Sequence, residues 1–321
     1  MMESNINGSK LMFHPERVAG DHRPITADVF LNNYCNNNCP YCVYHRWELD
    51  KGAYAMTRDE FVRYATRLKE LGVLGFILTG GGEPMIAPDF EAITAWLEEN
   101  HLHYGVNTNL NVLKYCAPDY LKVSLDGWDE DSYEACRGVR AYRKVRENII
   151  QYDAWRKKNA PLTSLGVQKV VARFEDILPF YEANKDLPFD YMALRPMEST
   201  AGSFYASEEA KGNAKKCIAL IQAIAEKDKR VVLNFKWRMI EDFCSSCLAH
   251  WAQIAMNEKG NIMHCCHKPY QIIGHVMDED ILEKHAAAKT DKNTCDVPCR
   301  LTAPNGYLKM LAQGTKDPFF I

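Results

Sequence analysis

Three cysteines between Cys35 and Cys42 carry the most specific chemical pattern in this sequence. They are spaced C-x3-C-x2-C, with Cys39 in the middle, and follow an apolar run in the predicted buried strand Thr26–Tyr34. Three thiolates can hold three irons of a four-iron cluster and leave the fourth iron open to a small molecule. A structural zinc site would instead need a fourth ligand close by, and His45 could supply it. Both interpretations place a metal centre in this loop.

A run of glycines follows the second predicted strand. Gly80, Gly81 and Gly82 come directly after this strand, predicted at Gly75–Thr79, and lead into Glu83. Glycines let a backbone approach a ligand closely, although such a run is also typical of a plain turn.

Together these two stretches resemble the radical S-adenosylmethionine (radical SAM) superfamily. Tyr41 occupies the aromatic position of that family's C-x3-C-aromatic-x-C signature, and Gly81, Gly82 and Glu83 match its GGE motif. The resemblance implies a [4Fe–4S] cluster on Cys35, Cys39 and Cys42, whose open iron binds S-adenosylmethionine (SAM). It also implies a 5′-deoxyadenosyl radical that abstracts hydrogen from the substrate, and an electron donor such as flavodoxin or ferredoxin.

The resemblance extends to polar residues at later strand ends. Ser124 and Asp126 should share one face of a strand with period two and contact the ribose, unless they form a plain polar strand end. Arg137 is expected to pair with the SAM carboxylate, because a guanidinium suits bidentate capture. The remaining predicted cofactor contacts are Asn107, Gln168 and Arg195.

The C-terminal cysteines suggest a second metal centre. Cys247 and Cys265 flank Gly260 in the spacing C-x12-G-x4-C, and a C-x3-C pair follows. This resembles the SPASM and Twitch domains of the family. The shorter Twitch form, with one auxiliary [4Fe–4S] cluster, is favoured because no full SPASM cysteine set is present. Zinc is the alternative for four cysteines. The predicted ligands are Cys247, Cys265, Cys295 and Cys299, with Cys244 as an alternative.

The elements that must position these residues alternate between strand-like and helix-like segments. This pattern predicts an α/β fold with a parallel sheet, whose sites lie at the carboxyl ends of the strands. The family implies a partial (β/α)6 barrel. A short helix is predicted at Leu110–Cys116, and a hairpin joins Ile254–Met256 to Asn261–His264. We predict an N-terminal extension (1–24), the barrel (25–230) and a Twitch/SPASM-like domain (231–321).

Composition narrows the class of protein. The net charge of −3 over 321 residues gives no nucleic-acid footprint. No apolar run reaches membrane-spanning length, and residues 1–10 lack a signal-peptide core, so a cytoplasmic protein with no membrane partner is expected. In a reducing compartment, 12 cysteines favour metal ligation over disulfides.

The reaction is less constrained than the cofactor. The leading hypothesis is modification of a ribosomally made peptide by epimerisation or cross-linking, with Cys217 as a candidate hydrogen donor and Cys266 as a second. The alternative is two-electron dehydrogenation of a small alcohol or amino sugar. A zinc-stabilised interaction protein is the non-enzyme alternative.

Overall fold

One sheet organises the chain. The computed structural model describes residues 10–42, 53–197, 208–234, 236–237, 247–288 and 301–313. Within them, a 10-stranded sheet has the order β10-β9-β8-β1-β2-β3-β4-β5-β6-β7. The strands are β1 Thr26–Phe30, β2 Gly75–Thr79, β3 His103–Thr108, β4 Tyr120–Ser124, β5 Ser164–Val171, β6 Tyr191–Pro196, β7 Val231–Leu233, β8 Gln253–Met256, β9 Asn261–Met263 and β10 Ile272–His275.

Strands β1 to β7 are parallel, and β8 runs parallel to β1 on its other side. This arrangement, with helices between the strands, confirms the predicted α/β class. The helices are α1 Pro15–Ala19, α2 Arg58–Glu70, α3 Phe90–Glu99, α4 Glu130–Arg137, α5 Tyr142–Asn159, α6 Ile177–Asn184, α7 Glu208–Lys227, α8 Ile281–Ala287 and α9 Thr302–Gln313.

Helix α2 illustrates how sequence sets these elements. Thr57 caps its N-terminus in a reciprocal capping box with Glu60. Phe61, Tyr64 and Leu68 recur at helical spacing, and all three are buried in the main core. That core lies on the face of the sheet that carries the alternate residues Val29, Leu78, Val106, Val123 and Val167. The other face of the strands is therefore available to line a site.

The structure overturns one predicted element after β3 and confirms another near the C-terminus. The predicted helix Leu110–Cys116 is wrong: this segment is irregular and leads directly from β3 to β4. Leu110 has a positive φ of 55°, and the Asn111 amide bonds to the Asn109 side chain, so local polar contacts replace helical ones. The predicted hairpin is confirmed as β8 and β9.

The hairpin is also part of the barrel sheet, since β8 pairs with β1 along four residues from Thr26 to Val29. The predicted strand Thr26–Tyr34 is shorter than expected and ends at Phe30. The proposed domain boundary near residue 231 stays a prediction. Among the helices in the described ranges, none combines the length and apolarity needed to cross a membrane.

Candidate active site

The cysteine loop leaves the carboxyl end of β1. The Asn37 amide lies 3.4 Å from the Cys35 sulfur, and the Cys42 amide donates to the Cys39 carbonyl at 3.1 Å. Protein atoms packed around its sulfur desolvate the Cys35 thiol and raise its pKa to about 11, although the residue as a whole is exposed. The neighbouring Glu83 carboxylate and the other two thiols add to the rise. Burial also raises the pKa of Cys39, while the charge of Arg137 opposes it. The three thiols are therefore close enough to influence one another.

The glycine loop after β2 docks onto the cysteine loop through its backbone. The Glu83 amide donates to the Tyr34 carbonyl at 3.0 Å, and the Asn32 side chain donates to the Glu83 carbonyl at 3.0 Å. A Cβ on Gly82 would lie 1.8 Å from the Tyr34 carbonyl oxygen, so only glycine fits this contact. Gly81 has a φ of +89°, a region that also favours glycine.

The Glu83 carboxylate fixes the end of β3. It is buried and accepts hydrogen bonds from the Thr108 hydroxyl at 2.5 Å, the Asn109 amide at 2.7 Å and the Met85 amide at 3.1 Å. Burial raises the pKa of this carboxyl group, and the three hydrogen bonds oppose the rise. Because its oxygens are already engaged, Glu83 holds the loop in place through its side chain and presents the loop backbone to the site.

Asp126 departs from the geometry expected for a strand residue. β4 ends at Ser124, and Asp126 has a positive φ of 55°. The premise that Ser124 and Asp126 share one strand face is therefore wrong. The Asp126 carboxylate is 1% exposed and pairs with Arg137 at 2.6 Å, while the Tyr41 hydroxyl donates to it at 2.9 Å. The ribose contact of Asp126 and the SAM-carboxylate contact of Arg137 stay predictions.

Strand register brings the other predicted cofactor residues to one face. Ser124 pairs with Gln168 between β4 and β5. On β3, Asn107 pairs with Lys122, and Lys122 lies two residues before Ser124 on β4. On β6, Arg195 pairs with Val170, and Val170 lies two residues after Gln168 on β5. Because strand side chains alternate with period two, these polar residues share the face opposite the core. The structure thus places Asn107, Ser124, Gln168 and Arg195 on one polar wall near the carboxyl strand ends.

The structure describes two of the predicted C-terminal ligands, Cys247 and Cys265. Cys247 and Cys265 are partly buried, and the Asn305 side chain lies 3.7 Å from the Cys247 sulfur. Cys266 packs on the apolar cluster of Phe30, Ala255 and Met263, against which Cys42 also packs. The other candidates, Cys244, Cys295 and Cys299, lie outside the described residues, as does His45.

Sequence reasoning missed a stack of buried imidazoles beside this hairpin. The His250 ring lies 4.8 Å from His264 and 4.1 Å from His285 between centroids, and all three side chains are buried. Burial lowers the pKa of His264 to about 4. These residues are separated in sequence and show no spacing motif, so no local pattern signals the stack.

Comparison with known proteins supports the family resemblance of the cysteine and glycine loops. Residues 29–154 match the family profile described as the Radical SAM superfamily. This segment is a radical SAM domain. It contains both loops, the polar strand ends of β3 and β4, and the Arg137 helix.

Curated relatives of the radical SAM domain act on different substrates. A PqqA peptide cyclase of Bradyrhizobium diazoefficiens is 25% identical over 149 residues, which are 44% of this chain and 38% of that protein. A probable GTP 3′,8-cyclase of Pyrobaculum aerophilum is 26% identical over 130 residues, covering 38% of this chain and 41% of its own length. The chain thus spans less than half the length of these relatives.

Solved structures share the fold over most of the chain. Streptococcus suis SuiB bound to the precursor peptide SuiA has a TM-score of 0.61 at 15% identity, covering 86% of this chain and 68% of SuiB. Native anSMEcpe with bound AdoMet and the Cp18Cys peptide has a TM-score of 0.60 at 16% identity, covering 87% and 88% of the two chains. At this identity the likeness shows the fold alone.

The residues present fit the family's [4Fe–4S] cluster and SAM. Within the described ranges, no three His, Cys, Asp or Glu side chains converge as they do around a single metal ion. A four-iron cluster does not require such convergence, because each cysteine binds a different iron. Cys35 is exposed, while the other two loop cysteines are partly buried, so a ligand can reach this edge of the sheet. Residues 29–154 thus combine the Radical SAM family profile with the cysteine and glycine loops that could hold the cluster and SAM.

Proposed function

We propose that this radical SAM enzyme modifies a ribosomally synthesised peptide by abstracting hydrogen from a C–H bond, with epimerisation or cross-linking as the outcome. The observation that supports the radical chemistry is the docking of the cysteine loop on the glycine loop, through the 3.0 Å bond from the Glu83 amide to the Tyr34 carbonyl. When bound, the cluster and SAM supply the 5′-deoxyadenosyl radical. The residues of the chain bind and orient the reactants around it.

Two sets of side chains serve this positioning. The Glu83 carboxylate fixes the loop that faces SAM, because its hydrogen bonds tie it to the carboxyl end of β3. Asn107, Ser124, Gln168 and Arg195 supply the donors and acceptors that a nucleoside and an amino acid group require. The Asn107 amide nitrogen donates to Thr79 at 3.1 Å, and its buried carbonyl oxygen has no partner among the described residues. That oxygen is an acceptor suited to a ligand.

The peptide assignment draws support from proteins with this fold. SuiB is described with a precursor peptide, anSMEcpe with a peptide, and the Bradyrhizobium relative as a peptide cyclase. The Pyrobaculum relative is described as acting on GTP, so a small-molecule substrate is the competing outcome. Dehydrogenation of a small alcohol is therefore the second reaction to be assayed.

Burial separates the two candidate hydrogen-donor thiols. Cys217 has no exposed surface and lies in the main core on α7, where burial raises its pKa to about 12. Cys266 is partly buried on the apolar cluster that also contacts Cys42. We therefore favour Cys266 over Cys217 as a thiol near the radical site.

The C-terminal hairpin is proposed to carry an auxiliary [4Fe–4S] cluster. Cys247 and Cys265 lie on either side of the hairpin of β8 and β9, and the proposed ligand set is completed by Cys295 and Cys299 or Cys244. Such a cluster would accept the second electron if the reaction is a dehydrogenation.

The experiment is an anaerobic assay with SAM, a reductant and peptides encoded by short reading frames beside this gene, carried out in deuterated water. Epimerisation predicts one solvent deuterium in the product, and cross-linking predicts a loss of two hydrogens without deuterium. We expect Cys266→Ala to abolish deuterium incorporation and Cys217→Ala to leave it unchanged. If no peptide is altered but a small alcohol is oxidised, the peptide assignment is wrong.

A further inference from the structure

Arg137 joins two segments that are far apart in sequence. It is the last residue of α4, and its Nη1 atom lies 3.4 Å from the sulfur of Cys39, 98 positions away. Its Nη2 atom lies 2.6 Å from the Asp126 carboxylate. The guanidinium group therefore bridges a carboxylate and a cysteine of the cluster loop.

The carboxylate end of this bridge is rigidly held. Asp126 is 1% exposed and also accepts hydrogen bonds from the Tyr41 hydroxyl and the Val170 amide. Lys169 donates to the Asp126 backbone carbonyl at 2.7 Å. A buried charge of this kind is stable only when paired, so removing either partner leaves the other uncompensated. The positive φ of Asp126 is a strained conformation that these contacts maintain.

The backbone also holds the helix end against the loop. The Asn38 amide donates to the Arg137 carbonyl at 2.9 Å. Gly138 has a φ of +70°, and a Cβ there would lie 2.5 Å from the Asn38 carbonyl oxygen. These contacts fix the backbone of Arg137 against the cysteine loop, while its ion pair with Asp126 holds the guanidinium group.

We propose that Arg137 is a positioning residue that donates a hydrogen bond to the Cys39 sulfur of the cluster and raises its reduction potential, with Asp126 fixing the guanidinium. The reduced cluster carries one more negative charge than the oxidised one, so a nearby cation stabilises the reduced form more. Hydrogen bonds to cluster sulfurs are among the factors that set these potentials. Cys35 differs, since its nearby donors are the neutral groups of Asn37 and Asn109.

This role differs from the SAM-carboxylate contact implied by family resemblance, and the two roles predict different results. We expect Arg137→Gln to lower the potential of the SAM-free cluster in an anaerobic titration followed by electron paramagnetic resonance. The ratio of reduced to oxidised cluster at a fixed potential should fall about tenfold, which for one electron is a shift of about 59 mV. Arg137→Lys, which keeps the charge without the planar fork, should give a smaller shift.

Arg140 provides the matched control. It lies three residues further along, and its exposed side chain pairs with Asp131 and Glu134. Arg140→Gln should leave the potential unchanged. An unchanged potential in Arg137→Gln, accompanied by weaker SAM binding, would overturn the proposal and support the carboxylate contact.

A second measurement does not depend on any variant folding. Wild-type protein containing arginine labelled with 15N in its guanidinium group is reduced without SAM and studied by pulsed electron paramagnetic resonance. We expect a 15N hyperfine coupling to the cluster. Absence of this coupling would contradict a hydrogen bond to Cys39.

Discussion

The contact between the two loops can be tested by adding one methyl group at Gly82. A Cβ built there lies 1.8 Å from the Tyr34 carbonyl oxygen and 2.6 Å from the Asn32 amide oxygen. Restoring an ordinary contact, from 1.8 Å to 3.4 Å, requires the loops to separate by about 1.6 Å. Both atoms belong to the cysteine loop, so Gly82→Ala should move the glycine loop away from the cluster.

The expected loss of SAM affinity follows from the hydrogen bonds that this separation breaks. The bonds from the Glu83 amide to Tyr34 and from Asn32 to the Glu83 carbonyl are both lost. Each is worth about 1 kcal/mol, and overpacking typically costs about 1–3 kcal/mol. If the SAM-bound state is destabilised by about 1.4–2.8 kcal/mol more than the SAM-free state, SAM affinity drops roughly 10-fold to 100-fold.

The assay is SAM binding to the anaerobically reconstituted enzyme, measured by isothermal titration calorimetry, with iron content determined on the same sample. Gly80→Ala is the control, because a Cβ at Gly80 meets nothing within 4 Å. Equal SAM affinities for the two variants would refute the reasoning that close docking of the loops forms the SAM site.

Three further predictions address other parts of the chain. Arg156→Met should lower the free energy of unfolding by about 3 kcal/mol, because it leaves buried Asp153 with only the exposed Lys157 as an ion-pair partner and removes the Arg156 contact to Asp190. Arg143→Gln, at an 83% exposed side chain, should change it by less than about 0.5 kcal/mol. Urea denaturation measures both, and equal effects would contradict the assignment. Asp228→Asn should lower the free energy of unfolding by about 1 kcal/mol at pH 7, because the hydrogen bond from Arg230 lowers the pKa of Asp228. This stabilisation is present above the ordinary pKa of 3.8 and is lost as pH falls through the lower folded pKa. A stability difference between variant and wild type that persists well below the folded pKa would be inconsistent with this origin. Cys265→Ser should reduce bound iron from about eight to about four per chain while SAM cleavage persists; an unchanged iron content would exclude Cys265 as a ligand.

The cysteine and glycine loops could be located from the sequence because their patterns are short and local. Cys35, Cys39 and Cys42 lie within one loop, and the glycines before Glu83 follow a strand whose bounds the apolar pattern indicated correctly. Strand periodicity likewise explains why Ser124 and Gln168 share one face. In these cases the relevant neighbours are set by the period of a single element.

Contacts between distant segments could not be predicted in this way. The pairing of Arg137 with Asp126 depends on the backbone leaving β4 with a positive φ, which no residue type near Asp126 specifies. The stack of His250, His264 and His285 depends on how the hairpin and α8 pack. The segment after β3 was predicted as a helix, but the Asn111 amide bonds locally to the Asn109 side chain, and the Leu110 carbonyl accepts from Asn148 of the distant helix α5.

The central claim is that Cys35, Cys39 and Cys42 hold a cluster whose open iron binds SAM. The most direct measurement is the yield of 5′-deoxyadenosine and methionine from SAM after anaerobic reconstitution and one-electron reduction. We predict equal amounts of the two products from the wild type and none from Cys39→Ala. Protein that binds zinc instead of iron, or wild-type enzyme that leaves SAM intact under these conditions, would contradict the claim.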